Sequence, residues 1–385
     1  MRGLNGSGKS NYAKMKQKLW IVTELFPPDE TSTSYIMGEI ANVMTSKYSV
    51  GVICGPEVYD KRKNLDANNK FQLDESIEIH RTEGTGLDKN TTKGKALSFL
   101  LMSKRMRALV KKLVKKGDKV LMVTNPAPMV VLMSHLKMKV GFELNILVHD
   151  VFPENTKPAG LNLPFYGLFK RVFDKAYSKA DQLIVIGRDM KDVMEKKVDR
   201  FTYKPVCTII ENWADIEGIK PKDFPQRKII LQYAGNIGRV QGLDKVIAHL
   251  TDDVEFHLYG TGAMEESLKK LGYPNVFFHG PYFRSQQNDV LAACDIAVVT
   301  LQEGMYGLGV PSKTYNILAS GRPILFLGPT NSEIDLLVRE KGIGYCGWPA
   351  KWDKAELAEM GARARQLAID EYSKDTILNK FVNAI

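Results

Sequence analysis

The sequence predicts an α/β protein built from two Rossmann-like domains that face each other across a cleft. Three observations carry this expectation. Short apolar runs alternate with helix-length segments from Leu19 onward, a Pro-containing break falls at Asp215–Gln226, and a second alternation begins with KIILQYAGNIG. Alternation of this kind gives parallel sheets with helices on both faces. At 385 residues the chain is also too long for one ordinary core.

Taken in order, the first series opens with the strand LWIVT, the loop FPPDETSTSY, a helix over 34–46 and the strand YSVGVIC, a βαβ unit. Further strands are predicted at 77–81, 119–123, 143–148 and 182–186, with helices near 95–116, 127–138, 164–179 and 188–196. Pro221 and Pro225 interrupt the pattern, so this stretch reads as a linker. Strands of the second series are predicted near 254–259, 276–279, 296–300, 323–327 and 344–347. The last segment, 373–385, reads as a helix that returns to the first domain. The expected domains are therefore 15–215 with 373–385, and 216–372.

Residues 1–14 are rich in Gly, Ser, Asn and Lys and read as a leader or expression tag, with native translation expected at Met15. Within them, Gly3–Ser10 (GLNGSGKS) match the P-loop spelling. That loop needs a strand before it to aim the turn, and only Met1 and Arg2 precede it, so the match is a decoy.

A formal charge of +10 implies an anionic partner: nucleic acid, an anionic membrane surface or a phosphorylated small molecule. Surface aromatics interleaved with glycine, the mark of RNA binding, are missing, which ranks nucleic acid low. Basic residues concentrate from Lys93 to Lys119 among leucines and methionines. Such a helix either lies in a membrane interface or packs on a sheet with a solvated basic side. No apolar run is long enough to span a bilayer, and no signal-peptide core is present, so a cytoplasmic protein is expected. Four cysteines, Cys54, Cys207, Cys294 and Cys346, lack paired spacing and are expected to be buried thiols.

The segment GVPSKTYNILASGRPIL, Gly309–Leu325, reads as a turn, a cap at Ser312 and a buried helix with Lys313 in its first turn. Free N–H groups, a partial positive charge and a lysine together suit a diphosphate, although an ordinary helix–strand connection has the same spelling. YAGNIGRVQGLD likewise puts Gly235 and Gly238 between a strand and a helix, where backbone can approach a phosphate and Arg239 can add charge.

In order, FPPDETSTSYIMGEIA, LVHDVFPE, IIENWAD, YAGNIGRVQGLD, LYGTGAMEESL, FHGPYF, AACDIAVVTL and PSKTYNILASGRPIL resemble the GT4 family of retaining glycosyltransferases, which have the GT-B fold. The variant details look most like bacterial transferases of O-antigen or capsular polysaccharide, many of which use UDP-activated N-acetylated sugars. The resemblance implies a UDP-sugar donor as substrate, no further cofactor, a polyprenyl-diphosphate-linked glycan acceptor and a peripheral place at the inner membrane face. No metal is implied, because no Asp-x-Asp pair stands in a suitable loop.

Residue by residue, the resemblance implies that His149 contacts the donor sugar or its phosphate, with Asp150 beside it at a strand end and Glu154 as a further carboxylate. The family's diphosphate-binding Arg and Lys fall at Asn236 and Gln241, which leaves Arg239 or Lys313 to neutralise the leaving group. That interaction is worth roughly 4 kcal/mol per charge at an effective dielectric near 20. The family's two glutamates fall at Leu308 and Asn316; Asn316 can still hydrogen-bond a ribose, and Glu303 lies just upstream. The stretch Leu301–Gly309, with Gly304, Gly307 and Gly309, reads as a glycine loop for the donor sugar. Thr31, Ser32 and Thr33 stand at a helix start where they either cap or also line the acceptor side. Gly260, Gly262 and Gly280 are expected to shape the base pocket through backbone. The departures also keep open a catalytically silent binding subunit, and a UDP-sugar 2-epimerase is a separate alternative on the same fold.

Overall fold

The computed structural model describes residues 16–57, 71–87, 92–225 and 228–385, so the leader and its P-loop spelling lie outside the described residues. The first series folds as β1 (Lys18–Thr23), α1 (Ser32–Met44), β2 (Ser49–Cys54), β3 (Glu78–Arg81), α2 (Thr92–Leu113), β4 (Lys119–Val123), α3 (Pro128–Val140), β5 (Glu143–Val148), α4 (Tyr166–Tyr177), β6 (Gln182–Val185), α5 (Arg188–Val198) and β7 (Val206–Ile209). The second comprises β8 (Ile229–Ala234), α6 (Leu243–Ile247), β9 (Val254–Tyr259), α7 (Glu265–Lys269), β10 (Val276–Gly280), α8 (Gln287–Ala292), β11 (Ile296–Thr300), α9 (Lys313–Ala319), β12 (Ile324–Leu327), α10 (Glu333–Lys341), β13 (Gly344–Cys346), α11 (Lys354–Asp370) and α12 (Lys374–Ala384).

The strands form two parallel sheets, ordered β3-β2-β1-β4-β5-β6-β7 and β10-β9-β8-β11-β12-β13. In each, the chain winds outward one way and then restarts beside its first strand. Such switch points, β1/β4 and β8/β11, open a crevice at the carboxyl ends of the strands. In the second sheet, Ile296 and Val298 of β11 pack on one face while Ala297 and Val299 pack on the other, the period-two pattern of a strand covered on both sides. The second core face joins the first domain in one apolar cluster, so the two sheets share packing around the crevice.

Sequence and structure differ in instructive places. β7 has no sequence-level counterpart, because an edge strand of four half-exposed residues carries no strong alternation. The basic helix α2 takes the sheet-packing alternative: Met102, Met106 and Val110 are buried against the domain, while Lys104, Arg107, Lys111 and Lys112 face solvent. Cys54 and Cys294 are buried, but Cys207 is half-buried and Cys346 exposed, since β7 and β13 are edge strands. Part of the linker is pinned to the second domain. Arg322, fully buried, donates to the carbonyls of Lys222 and Asp223 at 2.9 Å, and Arg365 donates to those of Ile216 and Ile219 at 3.0 Å. At the far end, α12 packs on α1, with the Tyr48 hydroxyl donating to the Ile385 carbonyl at 2.7 Å.

Candidate active site

A cavity of about 380 Å³ opens between the carboxyl ends of the two sheets. Ser32, Tyr35, His149 and Asp150 line it from the first domain; Gly235, Asn236, Gln241, Arg284, Gly309, Ser312, Lys313 and Asn316 line it from the second. Among the described residues Asp150 is the one carboxylate in this lining, against two basic side chains, Lys313 and Arg284.

Lys313 stands at the first position of α9. Its Nζ is buried with no hydrogen-bond partner among the described residues, 3.2 Å above the centre of the Tyr233 ring and beside Gly235. Burial drives its pKa well below the ordinary lysine value. The Tyr233 hydroxyl donates to the Asn236 carbonyl at 2.8 Å, which holds the Gly235–Asn236 turn next to that ammonium. Ser312 does not cap as expected: its backbone is already helical and its side chain makes no cap hydrogen bond.

His149 follows β5, and its backbone N–H donates to the Thr124 hydroxyl at 3.2 Å. Desolvation pushes the imidazole down to about 4, so it is neutral near pH 7. Its buried Nε2 has no hydrogen-bond partner among the described residues. Asp150 pairs antiparallel with Gly309 across the cleft, and Val151 N–H donates to the Leu308 carbonyl at 3.0 Å. Gly307 N–H donates to the Asp189 carboxylate at 3.1 Å. A Cβ at Gly307, whose φ is +67°, would collide with the Asp189 carbonyl and Val193. The Leu301–Gly309 loop is thereby stitched to the first domain.

Other expected residues lie elsewhere. Glu154 faces an ion cluster, 2.7 Å from both Lys197 and Lys170; burial alone would raise its pKa, but the two lysines outweigh it and hold the carboxyl below its usual range. It lines none of the three recesses around the cleft, because those lysines draw it into the domain. Arg239 and Gly238 line a neighbouring recess with Pro158, and Glu303 lines another, beside Trp348. Thr31 caps α1 by accepting from Ser34 N–H at 3.3 Å, and of the Thr31–Thr33 stretch only Ser32 lines the cavity. Asn316 Oδ1 accepts from Asp215 N–H at 3.0 Å, which ties α9 to the linker. Gly260, Gly262 and Gly280 sit behind the Gly235 turn: Gly260 N–H donates to the Gly280 carbonyl at 2.7 Å, and a Cβ at Gly260 would overlap the Gly235 carbonyl. Gly304 is exposed and lies against Pro158. Among the described residues, no group of three or more His, Cys, Asp or Glu is placed to hold a metal ion.

No protein-family model matches the sequence. A Pseudomonas aeruginosa protein named as a probable glycosyltransferase, WbjE, is 30% identical over 96% of this chain and 97% of its own length. The chain belongs to this glycosyltransferase family. A second relative, from Escherichia coli K12, is 27% identical over 53% of this chain and 57% of its own; its assignment to colanic acid biosynthesis as the glycosyl transferase WcaI is provisional. The Anabaena protein HepE, solved in complex with UDP and glucose, superposes with a TM-score of 0.66 over 96% of this chain and 99% of that one at 13% identity. The glycosyltransferase thus has the GT-B fold.

Several lining residues of this glycosyltransferase escaped sequence reasoning. Arg284 stands 3.4 Å over the Tyr35 ring across the cleft, and Tyr282, Gln287 and Thr300 join it in the wall. Tyr282 and Thr300 fall inside the FHGPYF and AACDIAVVTL segments without having been singled out, and Arg284 and Gln287 belong to no motif. A basic residue two positions after the FHGPY turn was the available signal for Arg284, and its partner 249 residues away is visible only in the fold.

Proposed function

We propose that this glycosyltransferase is a retaining enzyme of the GT4 type that moves an N-acetylated sugar from a UDP-sugar to a polyprenyl-diphosphate-linked glycan at the cytoplasmic face of the inner membrane, in O-antigen or capsule assembly. One observation carries the reading: a buried lysine ammonium without a hydrogen-bond partner at the wall of the interdomain cavity. A cation there is costly until an anion joins it. The diphosphate of a nucleotide-sugar meets that need, next to the Gly235 turn that flanks the lysine. The UDP bound by HepE and the polysaccharide role assigned to WcaI support the donor and pathway class.

In this reading the second domain, 216–372, holds the donor, and the first, 15–215 with 373–385, presents the acceptor. Lys313 neutralises the departing diphosphate, with Arg284 as a second cation in the place of the family's missing pair. The bond from the anomeric carbon to the β-phosphate oxygen breaks while the acceptor oxygen attacks on the same face, and the hydroxyl proton passes to the departing phosphate. No side-chain nucleophile is required, so positioning and charge stabilisation carry the rate. Neutral His149 directs one hydrogen bond at a sugar hydroxyl, and Asp150, next to it at the same strand end, orients the sugar. Calorimetric titration with UDP, GDP, ADP and TDP, without metal and then with Mg²⁺, tests the donor class. Selective metal-free UDP binding is expected; preference for another nucleotide replaces the donor, and no binding returns the silent-subunit alternative.

A further inference from the structure

Helix α4 and its N-cap carry a second apolar stripe on the solvent-facing side. Phe165, Leu168, Phe169 and Val172, spaced i, i+3, i+4, i+7, are 80%, 63%, 42% and 40% exposed, and Leu161 just upstream is 38% exposed. Phe173, Ala176 and Tyr177 fill the inner side of the same helix, so the outward stripe is not needed for the core. Phe165 is held at φ +54°, a left-handed conformation that aromatic residues avoid. An exposed ring in that conformation is a cost without return in the isolated chain.

The charge around this stripe selects one partner. Helices α2, α3 and α4 pack side by side as one layer and carry twelve Lys and Arg but one acid, Asp174. That acid is buried and neutralised by Lys197 at 2.7 Å, Arg200 at 2.9 Å and Lys170 at 3.1 Å. Arg171 and Lys175 remain exposed along the stripe, with Lys139, Lys104, Arg107 and Lys111 on the neighbouring helices. We propose that this face docks on an anionic phospholipid bilayer, with Phe165, Leu168 and Phe169 inserted between headgroups and the basic side chains on the phosphates. Apolar insertion combined with basic flanks is the physical recipe for interfacial binding.

The placement also suits a lipid-borne substrate. Helices in parallel α/β units run opposite to their strands, so the Phe165 end of α4 lies at the carboxyl end of the sheet, where the cavity opens. The loop between Asp150 and Phe165 touches the donor loop through Pro158 and Gly304. Docking here would bring the cleft rim to the membrane. The inference deepens the lipid-linked acceptor proposed above, but vesicle binding and nucleotide binding are read separately, so either can fail alone.

Sedimentation with phosphatidylethanolamine/phosphatidylglycerol vesicles, against phosphatidylcholine vesicles, tests it. The full chain is expected to partition onto the anionic vesicles and to be released by salt. The variant Phe165→Ser/Leu168→Ser/Phe169→Ser is expected to lose partitioning at least tenfold while keeping its Tm and its UDP titration; Arg171→Glu/Lys175→Glu is expected to lose it severalfold. Absence of wild-type binding, or equal binding by the serine variant, overturns the proposal. So does a wild-type dimer that the serine variant dissociates, which would give the stripe to a second copy.

Discussion

Lys313 occupies a place where a cation opposes stability, and two measurements follow from that. Because burial lowers its pKa and an anion would restore it, UDP binding should take up protons in the pH range between the free and bound pKa values, where affinity should fall with rising pH. Calorimetry in buffers of different ionisation enthalpy reads that uptake. Lys313→Met should raise Tm while weakening UDP binding by on the order of tenfold to a hundredfold, the worth of one charge-assisted hydrogen bond; unchanged affinity would remove the residue from the site. His149 carries a separate pH signature. Its pKa is about 4 in the fold against an ordinary value near 6.5, so its neutral form stabilises the protein fully above that value and the contribution is lost as pH falls toward 4. Between pH 7 and pH 5 this loss is about 2 kcal/mol, and denaturation of His149→Gln should show a correspondingly flatter dependence. At this scale the sequence was legible where a motif carries its own geometry. Lys313 and His149 stand at a helix start and a strand end, and both reach the cavity. Glu154 was misread because what claims it, Lys197, lies 43 residues on and on another helix.

Elements were legible in proportion to their burial. β4, β5, β9 and β11 carry four or more residues of apolar or alternating pattern, and their sequence bounds match those observed. The edge strand β7 and the short turns around Arg284 lack such a pattern and are set by neighbours. The Leu301–Gly309 loop illustrates the difference. Its glycines predict flexibility, yet Gly307 is required by contact, since its N–H reaches Asp189 and its Cα faces that helix's backbone. Gly307→Ala forces a Cβ into that contact at positive φ, and a cost of about 1–3 kcal/mol is expected. The loop should detach rather than the domain unfold, because only the loop stands on this contact. UDP affinity should stay within a few-fold of wild type while transfer falls tenfold or more. An equal drop in both would place the loop on the nucleotide instead of the sugar.

At the scale of the whole molecule, a small set of polar contacts latches the two domains together around the cavity. Arg188 at the start of α5 meets Glu333 of α10 through its backbone N–H at 2.6 Å and its guanidinium at 3.1 Å, and reaches Glu340 at 2.9 Å. Arg284 covers Tyr35, and the Asp150–Gly309 bridge lies between these two latches in the chain's path. Glu333 is 6% exposed, and burial raises its pKa more than Arg188 lowers it, so the latch holds a carboxylate that would rather be in water. Removing its partner should therefore do more than delete one ion pair. Arg188→Ala removes the guanidinium and leaves buried Glu333 with the backbone N–H of residue 188 but no cation, and opening the domains rehydrates it. The variant should show a larger radius of gyration by small-angle scattering in the ligand-free state, and addition of UDP-sugar should return it toward the wild-type value. Because the closed form then has to be recovered from a minor population, apparent donor affinity should weaken severalfold while the transfer rate at saturation is retained. A radius unchanged from wild type would mean that the shared apolar packing, not the latch, sets the domain angle.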